Sequence, residues 1–91
     1  MEKHIQKTII DYLNGIGCYV VKTVRTNRAG VADLLVCYEG KFIALEVKDT
    51  GKKHRVTKLQ EYHLELVRKS GGISAVVDCL DDVKKLIGEL Q

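Results

Sequence analysis

Proline is absent from all 91 residues, so the eight glycines carry the punctuation of the chain. No apolar run approaches the ~18 residues that a membrane-spanning helix needs. The opening Met1-Glu2-Lys3-His4 has none of the apolar core of a signal peptide, and the expected location is therefore the cytosol. The sequence contains no repeat, linker, low-complexity segment or phosphate-binding glycine loop. Cys18, Cys37 and Cys79 are odd in number and widely spaced, each in or beside an apolar stretch. They are expected to be reduced packing residues and not disulfide or zinc partners. His4, His54 and His63 have neither zinc spacing nor a nucleophile to serve.

What is present is ordinary globular composition, 45% hydrophobic and 30% charged, in a chain of single-domain length. So short a chain buries only ~60–65% of its unfolded surface, which leaves a thin core and makes a partner subunit a useful source of further burial. The net charge of +3 is unevenly spread. Between Lys22 and Lys58 nine Lys/Arg oppose four Asp/Glu, a balance of +5, whereas the remaining residues balance at −2. A basic middle between mildly acidic ends suits contact with a polyanion, although charge runs are usually solvated surface.

Hydrophobic spacing places a helix from Glu2 to about Asn14, with Ile5, Ile9, Tyr12, Leu13 and Ile16 on its stripe and Gly15 and Gly17 ending it. Cys18 to Val21 reads as a strand, Lys22 to Gly30 as a basic connection and Val31 to Tyr38 as a second strand. Glu39-Gly40 makes a tight turn into a third strand, Lys41 to Lys48. Asp49 to Val56 reads as an exposed loop in which His54, among Lys52, Lys53 and Arg55, is either a phosphate contact or solvated. Thr57 caps a helix to Ser70, Gly71-Gly72 stop it, and Ile73 to Val77 is a fourth strand. Asp78 or Asp81 then caps a last helix carrying Leu80, Val83, Ile87 and Leu90. Tyr12 and Tyr62 are expected in the core, while Tyr19 and Tyr38 could be core or rim. The order αβββαβα defines an α/β fold with a mixed sheet between helices.

In the third strand the period of two sets Phe42, Ala44, Glu46 and Lys48 on one face. Asp33 stands within the apolar run of the neighbouring strand. Charges in such strands are costly unless paired or bound to a metal. An edge salt bridge between Glu46 and Lys48, with Asp33 capping a turn, would explain the pattern without chemistry. Two carboxylates converging from adjacent strands would instead supply the hard oxygen ligands that Mg²⁺ or Mn²⁺ prefers. Such a cation activates water and offsets charge on a phosphodiester, and a neighbouring lysine can stabilise the pentacovalent phosphate.

Gly30-Val31-Ala32-Asp33, twelve residues, then Glu46-Val47-Lys48 resembles the PD-(D/E)xK nuclease motif. Within that superfamily the chain resembles the virus-type replication–repair nuclease (VRR-Nuc) domains, a stand-alone form of which occurs in phages. The resemblance implies a restriction-endonuclease-like fold in which Asp33 and Glu46 ligate a divalent metal. It also implies that the Val47 carbonyl joins them and that Lys48 is the catalytic lysine. Gln60 matches a glutamine that supports the site, and Glu2 matches an acid of the first helix that reaches the metal. Glu2, Ile5 and Ile9 share a face, but a glutamate is equally at home at a helix N-terminus. The motif's usual proline is Ala32 here.

Arg25 and Arg28 precede the hairpin, and Lys52, Lys53 and Arg55 follow it, where phosphate contacts that position DNA would sit. Small size and resemblance together imply a homodimer cutting branched DNA, in particular four-way (Holliday) junctions, in a host cytosol if phage-encoded. The alternatives are a flap, nick or duplex nuclease of repair or restriction type, and a non-catalytic DNA-binding or structural module of the same fold.

Overall fold

A computed structural model describes residues 2–91. Helix α1 (Glu2–Gly15) leads to strand β1 (Tyr19–Lys22), then β2 (Leu34–Tyr38), β3 (Lys41–Val47), α2 (Lys58–Lys69), β4 (Ile73–Val77) and α3 (Leu80–Glu89). The expected α/β order is the one found. The four strands lie side by side as β1-β2-β3-β4, antiparallel at the first two junctions and parallel at the last. A parallel pair needs a crossover, and α2 supplies it.

Glycine ends α1 and α2 by the same device. Gly17 has a φ of 90°, and the Cys18 N–H reaches back to the Leu13 carbonyl at 3.0 Å. Gly71 has a φ of 96°, and the Gly72 N–H reaches Val67 at 2.9 Å. Both are left-handed caps that satisfy the last carbonyls of a helix. Because Cys18 spends its N–H on this cap, β1 begins one residue later than the sequence suggests.

β3 carries the core. Its residues Ile43 to Val47 are all buried, since helices cover both faces of the sheet. On one face Ile43, Leu45 and Val47 pack with Ile9 and Leu13 of α1 and Val83 and Ile87 of α3. On the other, Ala44 meets Ala32 and Leu64 of α2. Each fully buried aliphatic side chain contributes ~1.5–3 kcal/mol, so this strand is the most firmly held.

α2 packs chiefly on β4 and β3, with Leu35 of β2 at the margin of that cluster. The observed exposure corrects two expectations. Cys37 is exposed and is no packing residue, and Tyr62, expected in the core, is 55% exposed. Cys18 is buried as expected. The cap of α3 also differs: Cys79 occupies the N-cap position, and neither Asp78 nor Asp81 does. Asp78 is turned instead toward the loop after β3, where its carboxylate accepts from the Gly51 N–H at 2.9 Å. Among the described residues no helix is long and apolar enough to cross a membrane.

Candidate active site

The β2–β3 ladder ends at the pair Leu34–Leu45, and one further step of that register sets Asp33 across from Glu46. Facing residues of an antiparallel pair project to the same side, so the two acids share a face. Asp33 itself lies just before β2, not inside it as the apolar run suggests. Its side chain replaces the next rung: Oδ2 accepts the Val47 N–H at 2.8 Å. Its carbonyl accepts the Thr23 N–H at 2.9 Å.

Upstream, Gly30 has a φ of 88°, and a Cβ there would lie 2.6 Å from Leu59 Cγ. The position therefore demands glycine on two counts, and the close approach seats the 23–33 connection against α2.

On the other side of the site Thr57 and Gln60 form a reciprocal capping box at the start of α2. Local capping thereby orients a side chain that also reaches the acids. Gln60 Oε1 accepts from the Thr57 N–H at 3.0 Å and from Lys48 Nζ at 3.1 Å, while Nε2 donates to Glu46 Oε2 at 3.0 Å. Only this orientation of the amide satisfies all three partners. Lys48 Nζ stands 3.3 Å from the same Glu46 oxygen. Glu46, Lys48 and Gln60 thus make a closed triangle on the α2 face of the sheet.

The other oxygen of Glu46 is different. Glu46 is 2% exposed, and its buried Oε1 has no hydrogen-bond partner among the described residues. Burial pushes its carboxyl up to about 7, the like charge of the adjoining Asp33 adds to the rise, and Lys48 opposes it. A buried acceptor without a donor is costly and calls for a ligand. Two converging carboxylates, one carrying an oxygen that nothing satisfies, fit a hard divalent cation through their donor chemistry.

The other candidates divide. Val47 donates its backbone N–H to Asp33 Oδ2, and its side chain packs in the core on the opposite face of the sheet. Glu2 is half-buried at the start of α1, whose core residues pack on the opposite face of the sheet. No hydrogen bond or ion pair joins it to Asp33 or Glu46 among the described residues. Arg25, Arg28 and Arg55 are exposed, Lys52 is half-buried, and none pairs with an acid among the described residues. Lys53 is engaged: its Nζ is 2.8 Å from Asp82 Oδ2 and 3.8 Å from Asp78 Oδ1. That hydrogen bond to Asp82 raises the Lys53 pKa above the ordinary lysine value.

Asp78, Cys79 and Asp82 form the one group of three such side chains among the described residues whose donor atoms lie within 4.8 Å of one another. Those donors could hold a cation, but the Lys53 ammonium already stands against both acids. Sequence reasoning missed this clamp, because its partners are more than twenty positions apart. It also missed Thr23, whose hydroxyl has no signature until its acceptors are seen.

Among solved structures, one described as a VRR_NUC domain is 31% identical, covers 96% of this chain and 94% of its own, and superposes with a TM-score of 0.80. A second, described as a VRR_NUC domain protein, shares the fold at 19% identity, with coverage of 97% and 85% and a TM-score of 0.76. No family model matches the sequence, and no curated protein matches it either. The fold is that of a restriction-endonuclease-like nuclease domain. The chain belongs to the VRR-Nuc family.

Proposed function

We propose that residues 1–91 act as one nuclease domain, a divalent-metal-dependent endonuclease that hydrolyses phosphodiester bonds in branched DNA. The observation that carries this reading is the buried, donorless Oε1 of Glu46 beside Asp33. Asp33 and Glu46 would hold Mg²⁺ or Mn²⁺, joined by the Val47 carbonyl and, through a water, by Glu2 of α1. When bound, the cation supplies Lewis-acid stabilisation of the phosphate and lowers the pKa of the attacking water.

The chain's own residues do the rest. Lys48 has three N–H donors, and two are directed at Glu46 and Gln60. The third is left for a phosphate oxygen or the attacking water, where a positive charge offsets the charge that develops on phosphorus. Gln60 holds both Glu46 and Lys48 and so keeps acid and ammonium in register. Arg25, Arg28, Lys52 and Arg55, which pair with no acid among the described residues, would grip the backbone. Lys53, spoken for by Asp82, contributes less.

A homodimer that presents two such sites across a dyad would cut a four-way junction in paired strands. The decisive experiment offers a four-way junction, a flap and a linear duplex to the protein with Mg²⁺, Mn²⁺ and EDTA, and light scattering gives the mass in solution. Metal-dependent paired nicks on the junction from a dimer are expected. Cutting of flap or duplex alone would move the protein to the repair or restriction type. No cutting with either metal would leave only a DNA-binding module.

A further inference from the structure

The 23–33 connection closes on itself just before the first acid of the site. Thr23 donates its backbone N–H to the Asp33 carbonyl at 2.9 Å. Its hydroxyl, 2.9 Å from the Ala32 carbonyl and 3.1 Å from that of Asp33, shares one proton between them. These two carbonyls belong to the two peptide planes that flank the Asp33 Cα. Because each peptide is planar, the orientation of the pair determines φ and ψ at Asp33, and with them the direction of its Cβ.

On the far side of the same residue, Val47 N–H holds Oδ2. Asp33 is thus tethered by its backbone to the end of β1 and by its carboxylate to the end of β3. The residue just before Asp33 is Ala32, which adds no ring restraint to this stretch of backbone. A proline ring would restrict φ at that position by itself, and alanine does not.

We propose that Thr23 is a positioning residue for Asp33: its hydroxyl fixes both peptide planes around that residue and so aims the carboxylate toward Glu46. The inference rests on the metal-site reading above and names a residue outside the motif. The contacts of the Thr23 hydroxyl are to the Ala32 and Asp33 carbonyls. Thr23 acts through Asp33, as partners that orient a ligand do, and removing such partners costs about 10–100-fold in metal affinity.

The test compares wild type, Thr23→Val and Thr23→Ser. Valine keeps the branched shape and removes the donor, whereas serine keeps the donor. The readouts are Mn²⁺ affinity by calorimetry, melting temperature without metal, and kcat and KM on the junction. Thr23→Val should weaken Mn²⁺ binding by about tenfold or more and lower kcat at fixed metal with little change in KM for DNA. Thr23→Ser should bind Mn²⁺ as wild type does. A valine variant with undiminished affinity overturns the proposal. So does a serine variant that loses as much as valine, even if both melt lower. Wild-type protein that binds no Mn²⁺ sinks the metal-site reading and this inference together. Wild type that binds, with an unaffected valine variant, sinks this inference alone.

Discussion

Two acidic clusters adjoin the loop that follows β3, one where Lys48 and Gln60 meet Glu46 and one where Gly51 and Lys53 meet Asp78 and Asp82, and they are chemically unlike. At Asp78 and Asp82 the charge is answered from within: Lys53 reaches both carboxylates, and the Gly51 and Asp78 N–H groups supply further donors. Although burial raises it, the Asp82 carboxyl is held below its ordinary value by Lys53 and the Asp78 backbone. At Asp33 and Glu46 the answer is incomplete. Lys48 and Gln60 serve one Glu46 oxygen, no donor among the described residues serves the other, and the Glu46 carboxyl rises to about 7. Two carboxylates that share an ammonium and backbone donors make a clamp. Two acids with an unsatisfied oxygen between helix and sheet make a candidate site.

The largest expected effect separates the clusters by activity. Glu46→Gln and Lys48→Met should each lower junction cleavage by at least about 10²–10³-fold, the usual cost of removing one charge-stabilising group. Asp82→Asn should cost no more than about fivefold, since a partly exposed pair is worth ~0–1 kcal/mol. Equal losses in a side-by-side time course would erase the distinction. Gln60→Leu should fall between them, because it releases both Glu46 and Lys48 while removing neither charge.

Stability against pH sharpens the comparison without any substrate. A carboxyl whose pKa is raised on folding binds more protons in the folded state between its unfolded and folded values. The metal-free protein should therefore lose stability as pH rises from about 4.5 to about 7, with little further change from this group above that. The loss is on the order of 3 kcal/mol and should vanish in Glu46→Gln, which should melt higher than wild type at pH 8. Denaturant titrations at pH 5 and pH 8 would read it. A wild-type curve that is flat across this window, or a Gln variant that melts lower at pH 8, would remove the uncompensated charge from the argument.

The smallest effect tests the loop itself. Lys52→Ala and Arg55→Ala should each reduce the salt dependence of DNA binding by about one counterion. Lys53→Met should leave that slope nearly unchanged and lower stability by less than about 1 kcal/mol. A full unit of slope lost with Lys53 would return it to the DNA footprint that its place in the basic run suggests.

Much of the fold was legible because the relevant forces act locally. The i, i+4 stripe of Ile5, Ile9 and Leu13, the Glu39-Gly40 turn and the Thr57 cap are each written within a few residues, and each stands where the spacing placed it. Errors arose where cover decides. Cys37 lies in an apolar strand and Tyr62 on a helix, yet no packed element covers either, and both are exposed. The start of β2 moved from Val31 to Leu34 because the Asp33 side chain takes over the next rung of the ladder, which apolar content does not reveal.

The sequence by itself determined the order of the elements and the shared face of Ala44, Glu46 and Lys48, because backbone periodicity is a property of neighbouring residues. Only the tertiary structure decided which charges are answered. Lys53 meets Asp82, Thr23 closes on Asp33, and one Glu46 oxygen is left with no donor. Desolvation and hydrogen bonding depend on groups that arrive from elsewhere in the chain, and folding alone brings them together.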